Sequence, residues 1–403
     1  MLPPTPNAWR NPRLANRLPE LDGVRGLAIL LVLVWHYVIS AVAVEPFSWQ
    51  AYALVPFRLM WTGVDLFFVL SGFLIGGILY DAKGTDTYYR TFYLRRIHRI
   101  TPLYLVWVAL FVVGLYLSRF TKNDHLHAIF NSEVPAWSYL LFLQNFFMSS
   151  HKAFGPQWMG ITWSLAIEEQ FYLLLPLFIR RFRFKGIACL ALTSIILAPV
   201  FRTVLSIHGN PLIGPYVLLP ARADALGFGV LVALACRSEA AWQWLASHRG
   251  LLFRVFILLG SGVVYLTLKP AGLYTVGLTW IAGFYATGLT LVVVNPGSVE
   301  SAFFRGRALV QLGTLAYGVY LIHQGINYLF HYALLGAEPS INNWPALSVT
   351  VLSLIVVMLV SSLSWRLYER PLIRRAHSRY RYRTNSERDQ AETPAVAQAL
   401  GFQ

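Results

Sequence analysis

Long apolar segments recur along the whole chain and constrain its fold more than any other feature. Ten are predicted to span a membrane, near residues 26–45, 60–80, 101–118, 165–180, 186–207, 216–235, 251–268, 276–294, 309–333 and 346–367. Only 13% of the 403 residues are charged, about half the ~25% of a soluble globular protein. We therefore predict an all-α integral membrane protein, a bundle of about ten transmembrane helices, and exclude a water-soluble enzyme.

The distribution of charge predicts the topology. With the N-terminus in the cytoplasm, 26 of the 33 lysines and arginines fall in cytoplasmic segments. The apolar piece at 136–148 has thirteen residues, too few to span upright, and is predicted to be re-entrant or interfacial. An eleventh span there would move the basic residues at 180–185 and the C-terminal arginines outside. Ten spans with both termini in the cytoplasm are therefore favoured.

The chain divides into three regions. Residues 1–24 are predicted to be a cytoplasmic tail without a cleavable signal, 25–372 the transmembrane domain, and 373–403 a basic, disordered tail attracted to anionic lipid. The basic residues lie between apolar runs, which argues against nucleic acid as a partner. Cys189 and Cys236 lie in apolar stretches without metal-ligand spacing, so we predict two buried small hydrophobes and no metal site.

Ionisable residues inside spans are costly and therefore mark candidate functional positions. Arg25 and His36 lie eleven residues apart, which places them on one helix face about 16 Å apart along the axis. Arg25 is expected at the cytoplasmic surface and His36 near mid-membrane. A snorkelling arginine with a packing histidine is one interpretation, and a chemical role is the other.

Two further spans carry acids near their predicted outer ends. Asp65 lies in the glycine-containing stretch 63–77, where small residues favour close helix packing, and it either caps the helix or pairs with a buried base. Glu168 and Glu169 are adjacent and diverge by ~100° on a helix, so at most one can face a given partner. One could serve a reactive centre while the other caps the helix N-terminus.

The remaining candidates are basic. Arg96 and Arg99 lie one turn apart at the predicted inner membrane edge, before Pro102 at the expected start of a span; they either anchor the topology or bind a phosphate. Arg222 opens the sixth span with Asp224, and the two are predicted to compensate charge nearby. His323 in the ninth span either packs or contacts substrate.

Together these segments resemble the acyltransferase 3 family of integral membrane acyltransferases, over essentially the whole chain up to about Pro371. The resemblance rests on LDGVRGLAILLVLVWHY, GVDLFFVLSGFLI, the Arg96 and Arg99 pair, WSLAIEEQFYLLLP, ARADALGFG, AYGVYLIH and YERP, in that order. It implies a bundle of about ten helices that moves an acyl group, commonly acetyl, from cytoplasmic acyl-CoA to a hydroxyl on the opposite side, commonly on carbohydrate. It also implies a stand-alone form without the SGNH hydrolase-like domain of some members.

The resemblance gives the candidate residues roles. Arg25, Arg96 and Arg99 are expected to bind the phosphates of the acyl-CoA donor, and His36 to act as general base. Glu168 or Glu169 would orient His36, Asp65 would belong to the catalytic group, and His323 and Arg222 would contact substrate. An acyl-enzyme on His36 stays open, with Ser71 and Ser164 as unweighted candidates for a nucleophile.

The expected partners are membrane lipid, acyl-CoA and a saccharide or glycolipid acceptor, with no metal, and the expected location is a plasma membrane, the inner membrane of a bacterium. A proton-coupled solute transporter is the alternative function, because a buried Asp, a Glu pair and two histidines could form a proton relay. A membrane scaffold is the third.

Overall fold

A computed structural model describes residues 18–42, 44, 45, 48–120, 127, 129–296 and 298–384. These residues form helices and no strands, which confirms the all-α prediction. The ten long helices are α1 Pro19–Val34, α2 Gly63–Ala82, α3 Tyr88–Ser118, α4 Thr162–Arg181, α5 Phe184–Ile207, α6 Leu219–Ala235, α7 Arg249–Leu268, α8 Leu278–Val294, α9 Arg307–Leu335 and α10 Trp344–Ser364. A shorter helix, α11 Arg370–Arg379, follows.

Short helical segments connect or extend these helices. They are the α-helices Trp49–Ala53, Ala136–Leu140, Gln144–His151, Gln157–Gly160, Ile213–Val217, Glu239–Ser247 and Val299–Ala302, the 3-10 turns Val55–Phe57, Met60–Thr62 and Phe303–Arg305, and the π-helical segments Trp35–Ile39, Leu273–Gly277 and Trp365–Glu369. The predicted re-entrant piece at 136–148 is two short helices separated by Phe142, which has a positive φ of 54°. Neither is long enough to span a bilayer.

Each of the ten predicted spans coincides with one long helix. Eight helices, all except α4 and α9, are long and apolar enough to cross a membrane, alone or with their flanking segments. The other two carry polar residues inside the bundle, including Glu168 and Glu169 on α4 and His323 and Asn327 on α9. Polar residues at these depths are rare in spanning helices and mark functional positions.

Several predicted boundaries differ from the structure. The arginine-rich segment before residue 101 is helical, so Pro102 lies inside α3 rather than at the start of a span. A proline interior to a transmembrane helix is tolerated where neighbouring helices satisfy the freed backbone groups. The Tyr317 hydroxyl of α9 donates to the Ile100 carbonyl at 2.6 Å, which joins α9 to this part of α3. Glu168 and Glu169 lie about two turns inside α4, which begins at Thr162, so the predicted helix-capping role is wrong.

The ends of the described chain also differ from expectation. Residues 1–17 and 385–403 lie outside the described residues, while α1 already begins at Pro19. Disorder from residue 373 onward is wrong for residues 373–384, because α11 extends to Arg379 and the next residues hydrogen-bond to α3. Cys236 is buried as predicted, but Cys189 is exposed, because apolar side chains on the outer face of a bundle can face lipid.

Polar contacts gather the basic segments at one end of the bundle, which we call the basic end. Arg305 pairs with Glu20 at 3.1 Å, and Arg237 pairs with Asp81 at 2.5 Å. The Lys83 ammonium donates to the Phe182 carbonyl, which joins the α2–α3 turn to the α4–α5 turn. Each of these contacts therefore joins two of the segments that the charge pattern places in the cytoplasm.

Helices α1 and α9 pack closely because glycines line their contact. A Cβ on Gly26 would lie 2.0 Å from the Leu309 carbonyl oxygen, and one on Gly313 would lie 1.8 Å from the Asp22 carbonyl oxygen. Between α2 and α6, a Cβ on Gly72 would similarly lie 2.1 Å from the Leu226 carbonyl oxygen. Small residues permit this approach of helix backbones. The α1–α9 contact brings His36 and His323 together.

Candidate active site

Two histidines face each other across α1 and α9. The imidazole Nε2 of His323 lies 3.2 Å from Nδ1 of His36, and the ring centroids are 5.0 Å apart. His323 is fully buried, and the Tyr37 hydroxyl donates to its backbone carbonyl at 2.7 Å. His36 itself lies on the π-helical segment Trp35–Ile39, where the helix widens.

Carbonyl contacts fix the proton positions on both rings. His36 Nδ1 lies 3.0 Å from the Val32 carbonyl oxygen, and His323 Nδ1 lies 2.7 Å from the Tyr320 carbonyl oxygen. A carbonyl can only accept, so in the neutral rings each Nδ1 carries the proton. His323 Nε2 can then accept from His36 Nδ1–H, and the lone pair of His36 Nε2 has no protein donor among the described residues. The arrangement leaves His36 Nε2 as an available base.

Three arginines converge inside the bundle on the side of the basic end. Arg25 of α1 lies within electrostatic range of Arg96 and Arg99 of α3, and it is paired with Asp22 at 2.9 Å. Because α3 begins at Tyr88, Arg96 lies about 12 Å along the helix axis from its first residue, and not at the start of the helix. Its buried Nε has no hydrogen-bond partner among the described residues. The cluster therefore has donor capacity left for an anion.

The two glutamates of α4 lie beside these arginines and not beside His36. Glu168 is within electrostatic range of Arg25, Arg96 and Arg99, and it accepts a 3.2 Å hydrogen bond from the Tyr172 hydroxyl. Glu169 is within range of Arg96, and its Oε1 is buried without a partner among the residues described. No hydrogen bond joins either glutamate to His36 in the described part of the chain. The structure puts His323 where the sequence predicted a glutamate.

Hydroxyl groups lie between the two clusters. The Tyr320 hydroxyl lies within electrostatic range of Glu168 and 2.5 Å from the Ser164 hydroxyl, and its ring centroid is 5.9 Å from that of His323. Ser71 lies 2.7 Å from the Tyr172 hydroxyl. Glu168 and Tyr320 therefore lie between the arginines and the histidine pair, with no continuous chain of hydrogen bonds among the described residues.

Asp65 and Arg222 lie in a separate buried ion pair. Arg222 Nη2 donates to Asp65 Oδ1 at 2.6 Å, and both side chains are 1% exposed. The guanidinium is surrounded by three aromatic rings at 5.5–5.9 Å, those of Phe68, Trp163 and Tyr216. Neither residue hydrogen-bonds to the histidine pair among the described residues. Asp65 was predicted either to cap its helix or to pair with a buried base, and it pairs with the buried base Arg222. No contact among the described residues supports a catalytic role for it.

A second ion pair adjoins the first. Arg202 donates to Asp224 at 2.9 Å and to the Thr279 hydroxyl at 2.5 Å, and Thr279 in turn donates to Asp224 at 2.6 Å. The predicted charge compensation around Arg222 and Asp224 is therefore confirmed. The structure gives Arg222 no open face for the substrate contact that the resemblance implied.

Sequence comparison identifies the fold that builds this site. A family model described as an acyltransferase domain matches residues 18–366, which include every candidate residue. The chain belongs to the acyltransferase 3 family. No solved structure matches it at a comparable level of significance.

Curated relatives of this acyltransferase 3 chain are O-acetyltransferases by name. It is 30% identical to "Putative peptidoglycan O-acetyltransferase YrhL" of Bacillus subtilis, over 88% of this chain and 55% of the relative. It is 28% identical to peptidoglycan O-acetyltransferase OatA of Listeria monocytogenes, over 88% of this chain and 56% of the relative. It is 27% identical to O-acetyltransferase OatA of Staphylococcus aureus, over 94% of this chain and 61% of the relative. The chain thus spans a little over half the length of these relatives.

Sequence reasoning missed several residues of this acyltransferase 3 site. Tyr172 lies four residues after Glu168 on the same helix face, a spacing that could have indicated their contact. Tyr320 precedes His323 by three residues in the same way. Glu369, in the YERP motif, accepts from Ser364 at 2.8 Å and lies within electrostatic range of Arg99. No sequence signal indicated that last contact.

Proposed function

We propose that this protein is an O-acetyltransferase that moves an acetyl group from acetyl-CoA at the basic end to a hydroxyl of a saccharide at the opposite side of the membrane. In a bacterial plasma membrane, the basic end of the protein would face the cytoplasm, where acetyl-CoA is available, and the opposite end would face the outside. The observation that carries the proposal is the placement of Glu168 and Tyr320 between the arginine cluster and the His36–His323 pair. The names of the relatives make peptidoglycan the first acceptor to test.

The donor site is assigned to Arg25, Arg96 and Arg99. Guanidinium groups bind phosphate bidentately, and the nucleotide end of coenzyme A carries several phosphates. The Nε of Arg96, which has no hydrogen-bond partner in the described part of the chain, supports this assignment. The thin pantetheine arm of a donor bound there would extend toward His36, which is about 16 Å from Arg25 along α1.

The chemical step is general-base catalysis. His36 Nε2 takes the proton of the acceptor hydroxyl as its oxygen attacks the thioester carbonyl carbon. The new carbon–oxygen bond forms, the carbon–sulfur bond breaks, and the thiolate of coenzyme A leaves with the electron pair. The proton on His36 then passes to that thiolate or to solvent. His323 Nε2 faces the Nδ1–H of the transient imidazolium and stabilises it.

The role of His323 gives a first prediction. His323→Ala removes the acceptor from His36 Nδ1, and we expect kcat to fall about tenfold or more while KM for acetyl-CoA stays within about twofold. His323→Asn, whose amide oxygen can accept, should recover part of the loss. Steady-state kinetics of both variants measure kcat and KM. If His323→Ala and His323→Asn raised KM equally and left kcat unchanged, the prediction would be contradicted.

The arginine cluster gives a second prediction. Arg96→Gln and Arg99→Gln should each raise the Kd for acetyl-CoA about tenfold or more, because each removes a charge-assisted phosphate contact. Isothermal titration with protein in nanodiscs measures the Kd. Arg254→Gln is the matched control, since Arg254 is exposed and bonds only to the Gly250 carbonyl among the residues described. Equal Kd values in all three variants would contradict the donor assignment.

The proposed function is tested by reconstitution. Purified protein in vesicles, with radiolabelled acetyl-CoA on one side and peptidoglycan fragments on the other, should yield alkali-labile O-acetyl sugar. The same assay with polysaccharide and lipid-linked sugar identifies the acceptor class. Movement of intact solute without acetyl transfer would instead favour the transporter.

A further inference from the structure

A segment that follows α11 crosses the first turns of α3. This C-terminal strap, residues 380–384, is bound through its backbone. The hydroxyls of Thr87 and Thr91 donate to the Arg381 carbonyl at 2.8 and 3.0 Å. The Arg383 N–H donates to the Thr87 hydroxyl at 2.9 Å, and the Arg383 carbonyl accepts from the Asp86 N–H at 3.0 Å. The strap is therefore a defined part of the basic end.

The strap also fixes a side chain of α3. Arg95 Nε donates to the Tyr380 carbonyl at 2.8 Å, and its guanidinium lies 5.2 Å from the centre of the Tyr382 ring. These contacts hold the Arg95 side chain against the strap, and Tyr382 is within electrostatic range of both Arg95 and Arg96. Burial raises the pKa of the Tyr382 phenol, so the ring is neutral where it covers Arg95.

Positive charge accumulates between the strap and the arginine cluster. Arg381 lies within electrostatic range of Arg95, and Arg96 lies within range of Arg99. No ion pair joins Arg95, Arg96 or Arg381 to a carboxylate in the described part of the chain. Glu168 and Glu169 offset charge only on the inner side of the cluster. Like charges held together at partly buried positions are costly unless an anion compensates them.

We propose that the C-terminal strap is the outer wall of the donor site and that Tyr382 holds Arg95 in place to bind a phosphate of the nucleotide end of acyl-CoA. The proposal rests on the proposed function, because it adds residues to the same donor site. Phosphate is the ligand chemistry, and an anionic lipid headgroup is the other source of it. The donor is favoured because Tyr382, whose ring contacts Arg95, is also within electrostatic range of Arg96, and Arg96 in turn is within range of the glutamates.

The test measures acetyl-CoA binding to the full chain in phosphatidylcholine nanodiscs. Tyr382→Ala and Arg95→Gln should each raise the Kd about tenfold, while Tyr382→Phe, which keeps the ring over Arg95, should stay within about twofold. Acetyl-pantetheine, which lacks the nucleotide phosphates, should bind all variants alike. Arg374→Gln on the exposed face of α11 is the matched control. Thermal unfolding of each variant verifies that it is folded.

The outcomes separate this inference from the proposed function. If Arg96→Gln weakens acetyl-CoA binding but Tyr382→Ala and Arg95→Gln do not, the strap is no part of the donor site and only this inference fails. If Tyr382→Ala and Arg95→Gln weaken the binding of phosphatidylglycerol to the protein but keep the Kd for acetyl-CoA, the arginines bind lipid headgroups. That result would overturn the inference. If the unaltered protein does not bind acetyl-CoA, the proposed function fails, and this inference fails with it.

Discussion

His36→Ala is expected to lower kcat for acetyl transfer by about 10²- to 10⁴-fold, the usual contribution of a positioned general base. The structure leaves Nε2 of this ring as the available nitrogen, because Nδ1 faces the Val32 carbonyl and His323. The Kd for acetyl-CoA should stay within about twofold, since the donor is bound by the arginines. Single-turnover transfer and titration with acetyl-CoA measure the two quantities separately.

The matched control for this change is His331→Ala. His331 is also a buried histidine of α9, but its Nε2 lies 2.9 Å from the Thr350 hydroxyl, away from the histidine pair. This variant should keep its transfer rate within about threefold wherever it is folded. A folded and inserted His36→Ala protein that transfers acetyl at the normal rate would disprove the base assignment.

Asp65→Ala is expected to destabilise the protein by about 3–5 kcal/mol, the usual effect of leaving one charge of a buried ion pair without its partner. Arg222 is then enclosed by aromatic rings, and its Nε and Nη1 already have no hydrogen bond among the described residues. Unfolding in mixed detergent micelles, followed by tryptophan fluorescence, gives the change in free energy. The melting temperature in nanodiscs should fall in parallel.

A double change separates the ion pair from chemistry. Asp65→Leu with Arg222→Met removes both charges together, and we expect it to recover most of the stability and most of the transfer rate. The control pair is Asp81 with Arg237, in which the Asp81 side chain is 56% exposed; Asp81→Ala should cost only about 0–1 kcal/mol. A stable double variant without transfer activity would show that the pair takes part in the reaction.

These predictions divide the polar interior of the bundle into two functional parts. The pair of Asp65 with Arg222 ties α2 to α6, and that of Arg202 with Asp224 ties α5 to α6, so both hold helices together. The arginines of α1 and α3, the glutamates of α4 and the histidines of α1 and α9 form the other part, which includes Nε2 of His36, the nitrogen available as a base among the described residues.

The sequence by itself determined the helices and the chemistry that they carry. Each of the ten predicted apolar segments corresponds to one long helix, and eight of these helices are apolar enough to cross a membrane, because span prediction depends on local composition. The motifs also selected His36, Arg96 and Arg99, since an ionisable residue in a span is conspicuous wherever the helix packs. Polar residues in connecting segments gave no comparable signal, so the strap was predicted to be disordered.

Only the tertiary structure decided which of these residues meet. His36 contacts His323 and not a glutamate, because the glycines of α1 and α9 let those two helices approach most closely. Asp65 pairs with Arg222, and Tyr382 covers Arg95, across separations of 157 and 287 residues along the chain. The period of a helix fixes the face on which a residue lies, but the identity of the facing helix depends on packing between distant segments, which no local pattern records.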